Sequence, residues 1–298
     1  MDYEGIGREE HMRKYVLLIL LVIIVCSSCA RKRVIRNGAV HVTRDELRVL
    51  NQDPNNKENN EERSLPSSKE APSLYELSKM TNQDKEIILS RRSYTLSYNP
   101  NTKLPNWVAW HLTAEHTDGE IGRSNDYRED IDVPTPRATI EDYKGSIWSR
   151  GHMCPAGDNK WDRDAMSETF LLTNICPQHA SLNSGLWNRI EQDCRRWAKE
   201  YGEVYIVCGP VFLNKEHDTI GENKIVVPEA FFKVILCLKD KPKAIGFIVR
   251  NNEGTKKKDQ FVNTVDDVER ITGIDFFPSL PDEIENEVEA YSNLEDWK

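Results

Sequence analysis

Beyond residue 100 the chain alternates between short apolar runs and polar connections. Asn106–Leu112 (NWVAWHL), Thr169–Ile175 (TFLLTNI), Val204–Val211 (VYIVCGPV), Phe231–Leu238 (FFKVILCL) and Ala244–Val249 (AIGFIV) are rich in aromatic and β-branched residues and read as strands. One stretch has a different period. Leu186, Ile190, Cys194 and Trp197 return at three- and four-residue steps, with Arg189, Gln192, Asp193 and Arg196 on the other face. This spacing predicts a helix over Ser184–Tyr201, ended by Gly202. Shorter helices are predicted over Thr264–Ile271 and Asp282–Tyr291. Short links between successive strands favour an antiparallel meander over βαβ units, so the predicted class is α+β, a central antiparallel sheet flanked by helices. The folded part is expected to begin between Ser78 and Ser90 and to run to about Tyr291.

The N-terminal pattern is of another kind. Tyr15–Val25 (YVLLILLVIIV) follows Arg13 and Lys14 and precedes Cys26-Ser27-Ser28-Cys29-Ala30. A basic flank, a short apolar run and small residues describe a secretory signal, and the run is shorter than the roughly 20 residues of a spanning helix. Ser27-Ser28-Cys29-Ala30 resembles the lipobox of bacterial lipoproteins, with Cys29 the lipidated residue and Cys26 where leucine is usual. The alternative is an uncleaved anchor helix with basic residues on both flanks. Met12, just before the basic pair, is a second candidate start. Asn51 to about Glu76 turns to Asn, Glu, Ser, Lys and Pro without periodicity and reads as a flexible linker. The expected organisation is a signal peptide over 1–29, a polar linker over 30–80 and a folded domain over 81–298, exported and tethered to a membrane by an N-terminal lipid.

Charge narrows the functions available. The 298 residues carry a formal net charge of −9, and from Pro281 to Lys298 seven acids face a single lysine. A broad basic face that adheres to a polyanion is therefore not expected; a site for phosphate must be local and helped by metal cations. Of seven cysteines, Cys26 and Cys29 lie in the leader. Cys154, Cys176, Cys194, Cys208 and Cys237 remain, an odd and widely spaced set unlike a disulfide scaffold.

Two stretches carry candidate chemistry: SRGHMCPAGD (Ser149–Asp158) and NICPQHASLNSGLWNRIE (Asn174–Glu191), the second running into the predicted helix. A lone histidine in such a segment is more often structural. Arg150-Gly151 before it and the second stretch after it favour chemistry. Together the two resemble the DNA/RNA non-specific endonuclease family, and the likeness extends back to RSNDYRED (Arg123–Asp130) and forward to TGIDFFPSLP (Thr272–Pro281).

The resemblance implies a ββα-metal active site that hydrolyses phosphodiester bonds in single- or double-stranded DNA and RNA, uses Mg²⁺ with Mn²⁺ able to substitute, and leaves 5′-phosphates. His152 matches the general base, a role suited to an imidazole that titrates near working pH. Asn183 matches the direct metal ligand, in keeping with the preference of Mg²⁺ for hard oxygen and retained water; its competing role is to cap the helix, which Ser184 could do instead. Glu191 matches the acid that holds metal-bound water, against the plainer reading of an exposed helical glutamate. Arg150 matches the arginine that stabilises charge on the phosphate, and Asn174 an asparagine supporting the histidine and the phosphate. Arg123 matches the upstream phosphate-binding arginine, with Arg128 as the alternative. Gly151 is expected to permit a tight turn. Ser149 departs from the family's usual aspartate and brings no charge to orient Arg150 or polarise His152.

Two rivals share these residues. His152, Cys154, Cys176 and His179 offer His-x-Cys and Cys-x-x-His pairs that could hold a structural Zn²⁺. A catalytically inactive binding or adhesion module on the same fold is the other, against which the joint presence of His152, Asn183 and Glu191 argues.

Overall fold

The computed structural model describes residues 75–81, 86–252 and 254–298. The signal, the lipobox-like Cys29 and the linker up to residue 74 lie outside the described residues. Among the described residues no helix is long and apolar enough to cross a membrane.

In chain order come β1 (Lys79–Met80), β2 (Ile87–Ser90), β3 (Thr95–Asn99) and β4 (Leu104–Thr113), then helix α1 (Ile140–Tyr143) and β5 (Ser149–His152). Helix α2 (Arg163–Glu168), β6 (Ile175–Gln178), α3 (Ala180–Leu182) and α4 (Asn188–Tyr201) lead to β7 (Glu203–Val211). A small ribbon, β8 (Thr219–Ile220) with β9 (Ile225–Val226), precedes β10 (Ala230–Cys237), β11 (Lys243–Arg250) and β12 (Val262–Asn263). Helix α5 (Val265–Thr272), β13 (Ile274–Asp275) and α6 (Asp282–Glu289) follow.

Seven strands form one antiparallel sheet in the order β12-β11-β10-β7-β4-β3-β2. The class is α+β, as expected. Each face is covered. Val108, Trp110, Ile206, Cys208, Phe231, Ile235 and Phe247 pack under Leu186, Trp187, Ile190, Cys194 and Trp197 of the α4 region. Their neighbours in sequence, among them Ala109, Val207, Phe232, Val234 and Ile248, point the other way against Val265, Val268, Phe276 and Val288. A strand covered on both faces must be apolar at consecutive positions, which is why every residue of β10 is buried.

The strands predicted over 106–112, 204–211, 231–238 and 244–249 are present with slightly different ends. Thr169–Ile175 is not one strand. Thr169 caps α2, Leu172–Asn174 form a 3₁₀ turn, and the extended segment starts only at Ile175. Phe170, Leu171, Leu172 and Ile175 are all buried, so their apolar character reflects enclosure and not an alternating strand. The helix predicted from Ser184 is preceded by a separate short turn, α3 from Ala180, and the two are broken by a kink at Gly185, whose φ of −102° and ψ of −107° are not helical; α4 then runs on to Tyr201. It ends at Gly202, whose φ of 91° lies in the region that favours glycine.

The folded part begins before the expected start between Ser78 and Ser90, and at the other end it continues past Tyr291 within the expected domain of 81–298. Tyr75 packs edge-on to Tyr205 at 5.6 Å and β1 pairs with β13, so the folded unit includes part of the stretch read as linker. At the far end Trp297 is buried, its ring 4.6 Å from that of Trp197, whose Nε1 donates to the Trp297 carbonyl at 2.6 Å. The five cysteines of the domain are buried free thiols.

Candidate active site

Between β4 and β7 the chain leaves the sheet and returns with a two-stranded ribbon and a helix. β5 pairs antiparallel with β6, setting Gly151 opposite Cys176 and His152 opposite Ile175. Gly151 sits in this extended strand and not in a tight turn. A Cβ there would lie 2.4 Å from Gln178 Oε1, so glycine is required by close approach across the ribbon. The segment after β6 turns directly into α3 and α4, which pack on the sheet. A ribbon edge and a helix flank therefore face each other across a cleft of about 280 Å³, lined by Arg123, Tyr127, Arg150, His152, Asn183, Glu191 and Arg195 among others.

His152 is 7 % exposed, and its ring lies against Phe170 (4.8 Å) and Tyr127 (5.6 Å). Nε2 is shut from solvent and has no hydrogen-bond partner among the described residues, and the residue itself lines the cleft. Burial first, then the guanidiniums of Arg123 and Arg150, hold this imidazole down at about 3, so it is neutral at pH 7. Both guanidiniums are themselves held by aromatic faces: Arg150 stacks over Tyr127 at 4.1 Å and Arg123 over Phe170 at 4.8 Å. Arg123 also donates to Asn125 Oδ1 at 2.8 Å. Arg128 faces elsewhere, paired with Asp126 at 2.9 Å, so of the two upstream arginines only Arg123 reaches the cleft.

Asn183 does not cap the helix. Its own backbone is helical, with φ −55° and ψ −49°; His179 caps α3, its side chain accepting from Ser181 N, while Ser184 Oγ donates to the Ala180 carbonyl at 2.8 Å. Asn183 Nδ2 instead donates to Ser149 Oγ at 3.3 Å, and Ser149 Oγ donates to the Gln178 carbonyl at 2.6 Å. This chain of bonds ties up the amide nitrogen and leaves Oδ1 uncommitted. Ser149, read from sequence as a missing charge, is thus what orients the carboxamide. Glu191 lies one helical segment further on. Burial pushes its carboxyl group up to about 7, with Lys233 the strongest opposing influence.

Lys233 carries no signal in the sequence beyond being a lysine in an apolar strand. It projects from β10 and is fully buried between Trp187 (4.4 Å to the ring) and Trp110 (5.1 Å). Its positive charge acts on Glu191 and favours the ionised carboxylate. Arg195, one turn past Glu191, is also legible only in three dimensions: it pairs with the buried Asp158 at 2.7 Å, and Trp110 Nε1 holds the other Asp158 oxygen at 3.1 Å.

Asn174 is fully buried and does not line the cleft. Its Oδ1 accepts from Cys154 N, and its Nδ2 donates to the carbonyls of Cys154 and Thr169, each at 2.9 Å. It fixes the backbone just after His152 and has no access to a bound phosphate. The zinc alternative fails on register. Cys176 pairs with Gly151, one position from His152, so the two side chains leave opposite faces of the ribbon. His179 turns to Ser181 Oγ at 2.8 Å.

The cleft thus combines paired guanidiniums suited to an anion, a neutral imidazole, and hard oxygen donors from α4 and from the turn just before its kink at Gly185. Asn183 Oδ1 and the Glu191 carboxylate form no salt bridge or hydrogen bond among the described residues, and both are donors that Mg²⁺ or Mn²⁺ accepts. Such a site belongs to the class built to bind phosphate beside a hard metal ion.

The comparisons with known proteins agree. The DNA/RNA non-specific endonuclease profile matches residues 71–283. The chain belongs to that family. It is 38 % identical over 206 residues to the mitochondrial nuclease EXOG of Homo sapiens, covering 63 % of this chain and 56 % of that protein. It is 36 % identical over 209 residues to nuclease C1 of Cunninghamella echinulata var. echinulata (64 % and 83 %), and 33 % identical over 211 residues to mitochondrial endonuclease G of Homo sapiens (64 % and 69 %). The chain thus spans little more than half the length of the EXOG relatives. Among solved structures, a chain of the EndoG/EndoGI complex superposes with a TM-score of 0.63 at 31 % identity, covering 66 % of this chain and 87 % of that one.

Proposed function

We propose that this cleft hydrolyses phosphodiester bonds of both DNA and RNA, with water as nucleophile and 5′-phosphate products. The observation that carries the reading is the convergence of Arg123, Arg150, His152, Asn183 and Glu191 on one cleft. Arg123 and Arg150 bind the scissile phosphate and oppose the charge it gains in the transition state. Burial is the first cause of the low basicity of His152; the bound phosphate offsets the second, the two guanidinium charges, and so raises that basicity as substrate arrives. The His152 imidazole then takes the proton from the attacking water as the bond to the 3′ oxygen breaks. Asn183 and Glu191 would hold the hard metal ion, Glu191 through its water; when bound, that ion supplies electrophilic stabilisation of the phosphate and the leaving oxygen. No 2′-hydroxyl is required, because the nucleophile is water.

The test is digestion of plasmid DNA and of RNA with Mg²⁺ and with excess chelator. Both substrates should be cut only with the metal. His152→Ala should lower kcat by roughly 10²–10⁴-fold, the usual range of general acid–base catalysis. In Asn183→Ala, high Mg²⁺ should restore part of the loss. Cleavage of RNA alone, or a His152→Ala variant at wild-type speed, refutes the proposal. Nucleic-acid binding without cleavage would favour the inactive binding module instead.

A further inference from the structure

On the sheet face opposite the cleft, carboxylates from two helices converge. Asp266 and Glu269 lie on α5 and Glu289 ends α6; one oxygen of each lies within 4.8 Å of the others. The three grade from solvent to interior, Asp266 exposed, Glu269 half-buried and Glu289 only 6 % exposed. Glu289 Oε1 is buried without a hydrogen-bond partner among the described residues.

Nothing else on these elements offsets the charge. Asp267 takes Arg270, and Lys79 acts on Asp275, but none of Asp266, Glu269, Glu285 and Glu289 forms a salt bridge among the described residues. The last turn of α6 has no basic residue, so Glu289 also sits at the negative end of its helix. Glu269 Oε1 accepts from Phe276 N at 2.7 Å, which fixes its carboxylate in place. Burial, then the carboxylates at 269, 285, 266 and 275, push Glu289 up to about 9, and similar causes push Glu269 to about 7. Buried acids without a counter-charge are costly, and the cost is relieved by protonation, by pairing or by a metal ion.

We propose that Asp266, Glu269 and Glu289 bind one divalent cation of Ca²⁺ size, which ties α5 to α6. Three carboxylates drawn from two helices suit the flexible, oxygen-rich coordination of Ca²⁺ better than the compact octahedron of Mg²⁺, and water fills the remaining positions on the Asp266 side. The site is separate from the cleft and does not depend on the cleft's chemistry.

The experiment titrates Ca²⁺ calorimetrically into the full chain stripped with chelator and dialysed, in an Asn183→Ala background that disables the cleft ligand. One Ca²⁺ per chain should bind, and the thermal midpoint should rise with Ca²⁺ but not with NaCl of equal ionic strength. Glu289→Gln and, separately, Asp266→Asn should each weaken binding at least tenfold. Asp266 is exposed, so its variant tests the site even where Glu289→Gln perturbs folding. Absence of binding heat, a midpoint that NaCl raises equally, or Ca²⁺ affinity unchanged in both variants overturns the proposal. So does binding seen in the wild type but lost in Asn183→Ala, which would assign the ion to the cleft.

Discussion

Asn174→Ala isolates what holds the histidine strand in place. The side chain is fully buried and makes three hydrogen bonds of 2.9 Å, to Cys154 N, to the Cys154 carbonyl and to the Thr169 carbonyl. Truncation leaves those three backbone groups without partners in the interior. Each orphaned group costs about 1–3 kcal/mol, and since they share one site the penalties do not add in full. A loss of about 3–5 kcal/mol is expected, against a total stability of about 5–15 kcal/mol for a domain. Urea unfolding followed by tryptophan fluorescence measures it, as a lower midpoint with an unchanged slope. Asn174→Asp should be no better than alanine, because it sets a carboxylate oxygen against two carbonyl oxygens. The remaining folded enzyme should show a lower kcat with the half-saturating Mg²⁺ unaltered, since Asn183 and Glu191 are untouched. A loss below about 1 kcal/mol, or a change confined to phosphate affinity, would refute this and return Asn174 to the cleft.

Arg195→Met strands the Asp158 carboxylate, which is 1 % exposed, and should cost about 3–5 kcal/mol in denaturant unfolding, the usual penalty for breaking a buried pair. For Asp142, burial raises the carboxyl pKa, but hydrogen bonds from Asn223 and Thr139 outweigh it and hold it below the ordinary value. The stability it contributes is therefore present above the unfolded aspartate value and lost as pH falls through the folded one; Asp142→Asn should be less stable at pH 7 and show a shallower acid loss in thermal unfolding as pH falls below about 4. If Cys29 is lipidated after export, wild-type protein should partition with membranes and Cys29→Ser should accumulate as an unlipidated precursor; an intact N-terminus on membrane-bound wild type would point to the anchor helix.

Periodicity along the chain was enough to locate four of the sheet strands, the apolar face of the long helix and the α+β class, because each depends on backbone geometry that repeats over a few residues. The two motifs likewise marked His152, Arg150, Asn183 and Glu191, which the fold brings to one cleft. What the tertiary structure decided involves partners far apart in sequence. Ser149 and Asn183 are 34 residues apart, and only their hydrogen bond shows that the serine orients the carboxamide. Arg123 and Arg128 look equivalent in the chain, yet one stacks on Phe170 in the cleft and the other pairs with Asp126 outside it. Asn174 resembles a site residue until its burial is seen, and Lys233 resembles an error in an apolar strand until Trp110 and Trp187 enclose it where its charge acts on Glu191. Burial and electrostatic influence are sums over groups that the chain brings together only by folding, so no local pattern encodes them.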